Sequence, residues 1–168
     1  MKFLSIKEYF YKLNTIGFIL LLPPLLVFIF LYHWLSFHLP TIANTQSKFI
    51  LVVIVLVASL LTLTSVHLAW YFKMKRTRKL LELARKMDGY YSFTFMKMIG
   101  YCGCSLIMAA GFYLTGDSWF TAVFMMITLG IAFQWPSRRA FCGQFHLLGA
   151  ERDMIMNNRD FFKKYKRS

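Results

Sequence analysis

Of the 168 residues 58% are apolar and only 16% charged, whereas an ordinary soluble domain has about 25% charged residues; this balance excludes a simple water-soluble globule and indicates a membrane protein. The 20 Lys and Arg against 7 Asp and Glu give a formal charge of +13, which in a soluble chain would suggest nucleic acid. In a multi-pass protein the cytoplasmic loops collect Lys and Arg, so no nucleic-acid partner is expected, and three cysteines, Cys102, Cys104 and Cys142, make no disulfide framework.

Ser5 and Glu8 stand at capping-box spacing, which starts a helix near Ile6. Lys2, Lys7 and Lys12 alternate there with Phe3, Leu4, Tyr9, Phe10 and Leu13, as expected of the first turns of a span passing through headgroups. No charge occurs from Leu13 to Ser47, and residues 15–37 are long enough to cross about 30 Å of hydrocarbon. The length of this stretch and the lack of a small-residue cleavage site argue against a signal peptide. Pro23 and Pro24 fall in its middle, remove two backbone donors and predict a kink, read as a static bend with a gating hinge as the alternative.

His38 to Ser47 is polar, contains Pro40 and reads as a loop; residues 49–72 form the second span. Ser59, Thr62 and Ser65 recur on one face of that span, a stripe suited to close helix packing. The basic segment Lys73 to Gly89 follows, with Leu80, Leu83, Ala84 and Met87 on one helical face and Lys75, Lys79, Glu82 and Lys86 on another. It is predicted to continue the second span into the cytoplasm as one amphipathic helix, with Gly89 as its C-cap. Tyr90, Tyr91 and Phe93 then read as an interfacial aromatic belt leading back into the bilayer.

The third span, at about 97–115, is rich in small residues, and Gly100, Gly103, Cys104 and Gly111 are expected to admit a neighbouring helix closely. Gly116-Asp117-Ser118-Trp119 signals a turn, residues 118–135 form a fourth, shorter span, and Pro136 ends it. Beyond it Phe141, Phe145 and Leu148, at i, i+4 and i+7, predict a short helix on the membrane surface that Gly149 terminates. The remaining tail mixes charged with apolar residues and finishes with Lys163, Lys164, Lys166 and Arg167.

The expected fold is therefore an all-α membrane protein. A four-helix transmembrane domain at 1–136, arranged as two antiparallel hairpins, precedes a basic amphipathic tail at 137–168. Four spans with both termini cytoplasmic leave only Lys48 of the 20 Lys and Arg outside, the asymmetry seen in a bacterial-type inner membrane.

Catalytic and cofactor chemistry finds little support. None of the seven Asp and Glu lies inside a predicted span, where a proton relay would need one. His33 and His67 fall at opposite ends of their spans, too far apart to share a haem, and His67 reads as a hydrogen-bonded packing residue. Cys102 and Cys104 at i, i+2 point apart on a helix, and Cys142 with His146 supplies two ligands where a closed metal site needs four. Asp88 reads as a helix-end residue rather than as the base of a lipid-headgroup enzyme. No cofactor or metal is expected.

The expected role is a non-enzymatic accessory or scaffold subunit. Its cytoplasmic basic face, comprising Lys73, Lys75, Arg76, Arg78, Lys79, Arg85, Lys86, Arg138 and Arg139, would engage an anionic lipid, a protein partner or a second copy of the chain. The alternative is a small oligomeric channel or transporter with the proline-kinked first helix as its gate.

Overall fold

The computed structural model describes residues 5–38, 45–80 and 82–157. The expected loop around Pro40 and the basic end of the tail, Lys163 to Arg167, lie outside the described residues. The described chain is all-helical: α1 (Ile6–Leu35), α2 (Thr45–Arg78), α3 (Leu83–Thr115), α4 (Ser118–Phe133), α5 (Arg138–Phe145) and α6 (Gly149–Met156).

Three of these, α1, α2 and α3, are long and apolar enough to cross a membrane. At 16 residues α4 is shorter than the predicted fourth span, and it reaches the length of a span only if it is joined to α5 across a 77° bend. Helix α1 starts where the sequence indicates, because the Ser5 hydroxyl accepts the Glu8 N–H at 3.1 Å. The α3–α4 turn also follows the local sequence: Gly116 takes the left-handed conformation at φ 63° and the Asp117 carboxylate accepts the Trp119 N–H at 3.1 Å.

The predicted single helix over 73–89 is not formed. Instead α2 ends at Arg78 and α3 begins at Leu83, so Gly89 is no C-cap but an interior residue of α3. Thr77 explains the glycine, since a Cβ at Gly89 would lie 2.4 Å from the Thr77 Cγ2. Tyr90 and Phe93 likewise form no interfacial belt; at 2% and 1% exposure they are core residues.

Helix α3 is the centre of the bundle and packs on α1, α2 and α4. The main packing partner of α1 is thus α3 and not its sequence neighbour α2, unlike the scheme of two sequential hairpins. Contacts of Gly89 with Thr77 and Gly100 with Val66 run antiparallel along α2, whereas Gly17 with Met98 and Phe28 with Phe112 run parallel along α1. Gly111 against Phe120 and the Tyr101–Gln134 hydrogen bond make α4 antiparallel to α3. The start of α1, the α2–α3 connection and α5–α6 therefore gather at one end.

Two cores result. The first lies within the bundle and includes Phe28, Cys104, Met108, Phe112, Phe120 and Phe124, with Phe28 stacked on Phe124 at 4.0 Å between ring centroids. The second caps the gathered end, where Tyr9, Phe10, Tyr90, Phe93, Phe141 and Phe145 pack edge to face or tilted. Apart from Tyr11 and Leu148, the exposed large apolar residues fall within 18–37, 49–72, 95–113 and 119–133. They form a belt around the first core, of a kind that is stable against hydrocarbon and not against water.

Candidate functional site: the basic end and the pocket between α5 and α6

Charge is distributed unevenly about the apolar belt. Among the described residues, Lys48 and Asp117 are the charged groups at the end opposite the cap, Lys97 lies near the cap edge of the belt, and the remainder surround the cap. The cationic residues named from the sequence divide into two groups there. Lys75, Arg76, Lys79 and Arg139 are exposed and have no side-chain partner among the described residues. Others are committed to the fold: the Arg78 Nε donates to the Gln144 carbonyl at 2.7 Å, which ties the end of α2 to α5. Lys86 is drawn 3.7 Å from Glu151 on α6, and Arg138 lies 5.9 Å from the Phe10 ring and donates to the Met156 carbonyl at 3.5 Å. Arg85 pairs with Glu82 at 2.8 Å with both side chains exposed, so the pair adds little to stability. The Lys73 ammonium donates to the Met96 sulfur at 3.6 Å.

The tail folds differently from its apolar spacing. Ser137 caps α5 by accepting the Ala140 N–H, but His146 then turns left-handed at φ 50° and ends the helix at Phe145. Leu148 consequently leaves the apolar face and is 79% exposed, while Leu147 is buried in its place. Gly149, at φ 55°, opens α6 instead of terminating α5. The apolar face of α5 rests on the cap, with Phe141 0% exposed and 5.0 Å from Tyr90 between ring centroids. It is therefore filled by protein, not by a membrane surface.

Between α5 and α6 lies a pocket of about 610 Å³ lined by Arg139, Cys142, Gly143, His146, Leu147, Leu148, Arg152 and Met156. Its lining contains two guanidinium groups and no carboxylate. Neither Arg139 nor Arg152 has an ion-pair partner among the described residues. Burial pushes the Cys142 thiol up, partly opposed by the Arg152 charge. Because the thiolate is the nucleophile, Cys142 is expected to alkylate more slowly than a free thiol at pH 7 and faster as pH rises; peptide mapping after timed maleimide treatment measures this.

The sequence reading missed a polar layer where the belt meets the cap. The Trp135 indole N–H donates to the Asn14 side-chain amide oxygen Oδ1 at 3.0 Å, and the Lys97 ammonium sits 4.9 Å from the Trp70 ring centroid and 5.8 Å from that of Tyr101. Amphipathic side chains of this type settle where one end is apolar and the other wet. The lone Lys97 between apolar residues was the available signal.

Pro23 and Pro24 lie inside α1, which continues through them; Pro24 is buried and Pro23 exposed. Beside Pro24 is a cavity of about 10 Å³, bordered also by Gly17, Met98 and Ser105. Of the small residues, Ser59 is buried, with its carbonyl facing the Cys104 thiol at 3.8 Å, and Gly100 and Gly111 lie directly against Val66 and Phe120. Gly103 faces open space; the Thr62 and Ser65 hydroxyls bond back to the Ala58 and Thr62 carbonyls of their own helix. His67 is exposed on α2, 5.6 Å from the Trp70 ring, and not a packed interior residue. Among the described residues no three His, Cys, Asp or Glu groups come together as metal ligands.

These features define a class: a helical bundle with three helices long and apolar enough to cross a membrane, or four if α4 and α5 form one bent span, compatible with an integral membrane protein. Comparison with family models, curated proteins and solved structures finds no match.

Proposed function

We propose that the protein is a non-enzymatic, multi-pass membrane protein acting as an accessory or scaffold subunit, with its basic cap on the cytoplasmic side of a bacterial-type inner membrane. The observation that carries this reading is the distribution of charge about the apolar belt: cations crowd the cap and are nearly absent from the opposite end. Lys and Arg are retained on the cytoplasmic side during insertion, so the start of α1, the α2–α3 connection and α5–α6 face the cytoplasm in this reading. Lys75, Arg76 and Lys79, which have no side-chain partner among the described residues, would then meet an anionic surface. Purification in mild detergent followed by native mass spectrometry tests the role; the expected result is a co-purifying protein or retained lipid, and a bare monomer overturns it.

A substitution separates binding from topology. Lys75→Gln, Arg76→Gln and Lys79→Gln together leave the Arg78–Gln144 tie in place. They are expected to weaken association with the anionic partner by about 1 kcal/mol per cation removed at low salt, with an unchanged melting temperature. If association measured at low ionic strength survives all three changes, the segment serves topology alone. The channel reading gains nothing from the cavity beside Pro24, whose volume of about 10 Å³ is at most about that of one water probe.

A further inference from the structure

We propose that the pocket between α5 and α6 is a binding site for the phosphate-bearing headgroup of an anionic membrane phospholipid, held by Arg139 and Arg152. This rests on the membrane reading above and goes beyond it by assigning one site and one ligand class.

Three observations converge. First, the lining presents two arginines and no carboxylate, together with His146. An arginine fork matches a phosphate in a bidentate manner, and a lining with two guanidinium groups and no carboxylate favours an anion over a cation. Second, the volume of about 610 Å³ falls in the range of roughly 300–1,000 Å³ typical of small-ligand sites. It greatly exceeds the space a bare phosphate needs. Third, the position favours an amphiphile. Helix α5 leaves α4 at 77° just past Phe133, where the apolar belt ends, so it runs across the bundle close to the level of the headgroups. The pocket lip carries Leu148, 79% exposed, and Met156, apolar groups beside the cationic ones. A glycerophospholipid offers the same pairing of anionic phosphate and apolar stem.

Gly143 allows a test that leaves the charges untouched. It lines the pocket, and a Cβ added there would meet no atom within 4 Å, so the side chain of Gly143→Leu starts in open space and adds apolar bulk to the pocket wall.

The full-length protein is released from lipid nanodiscs, made of phosphatidylcholine alone or with phosphatidylglycerol, into a native mass spectrometer. Wild type is expected to retain one phosphatidylglycerol in preference to phosphatidylcholine. Arg139→Gln with Arg152→Gln should lower that retention by roughly tenfold or more, and Gly143→Leu should lower it comparably. The double lysine variant, Arg139→Lys with Arg152→Lys, keeps the charge but loses the fork and should fall between.

Lys7→Gln with Lys48→Gln removes the same charge away from both the pocket and the Lys75–Lys79 surface, and should leave retention near wild type. Equal loss in that variant, or no loss in the pocket variants, overturns the site. Displacement of the lipid by millimolar inorganic phosphate would assign the pocket to a free anion and overturn the lipid. A wild type that holds lipid regardless of the pocket sinks this inference alone; one that holds neither lipid nor protein sinks the accessory-subunit reading as well.

Discussion

Phe141→Ala is expected to lower stability by about 3 to 5 kcal/mol, the usual range for removing a buried aromatic ring, and to free α5 from the rest of the molecule. Phe141 is fully buried, with ring centroids of Tyr90, Phe10 and Phe145 at 5.0, 6.1 and 4.8 Å, so its ring joins α5 to both α1 and α3. Unfolding in mixed micelles of increasing denaturing detergent measures the global effect. Alkylation of Cys142, buried one residue further along α5, measures the local one and should accelerate. Phe141→Leu keeps most of the apolar volume and should cost far less. An unchanged unfolding midpoint and unchanged Cys142 reactivity in the alanine variant would show that α5 does not depend on the aromatic cap.

Gly111→Ala is the second large effect, and here an added methyl group does the damage. Its Cβ would come 2.5 Å from the Phe120 Cε1 and 2.7 Å from its Cζ, and Phe120 is itself fully buried, so the ring has no free direction in which to move. Overpacking of this type costs about 1 to 3 kcal/mol, and it falls on the contact that sets α4 against α3. Gly103 is the matched control on the same helix. Nothing lies within 4 Å of a Cβ placed there, so Gly103→Ala should be neutral or stabilise by up to about 1 kcal/mol through helix propensity. Thermal unfolding of both variants in one detergent decides between close packing and mere glycine content: equal behaviour would remove the packing explanation.

The elements that could be read from the sequence are those whose physical cause is local. The start of α1 follows from Ser5 and Glu8, and the α3–α4 turn from Gly116 and Asp117, because each cap is made within four residues of the group it satisfies. The break between α2 and α3 has no such cause. Lys79, Leu80, Leu81 and Glu82 are all good helix formers. Packing of Thr77 on Gly89 and burial of Met87, Tyr90 and Phe93 bring α3 back along α2. These gains are tertiary and leave no periodic mark that separates one helix from two. The same holds for α5, where a heptad-like spacing extended to Leu148 and the left-handed His146 cut it short.

The basic face was legible as a composition but not as a set of roles. A side chain on the helical wheel of 73–89 has no means of declaring that Arg78 will meet a carbonyl on α5 or that Lys86 will meet Glu151 on α6. Arg152, which lines the same pocket as Arg139, sits in a run of alternating charges that gives it no distinction in the sequence. What separates a fold-bearing cation from an available one is a partner distant in sequence.

The central place of α3 bears on how the chain is assembled. Helices α1 and α2 emerge first, yet the principal packing surface of each is on α3, which is still unsynthesised when they are threaded. Neither of the first two helices can therefore bury its main packing face until Leu83 to Thr115 has been made. A chain truncated before α3 would keep two apolar helices and lose the surface on which both of them pack.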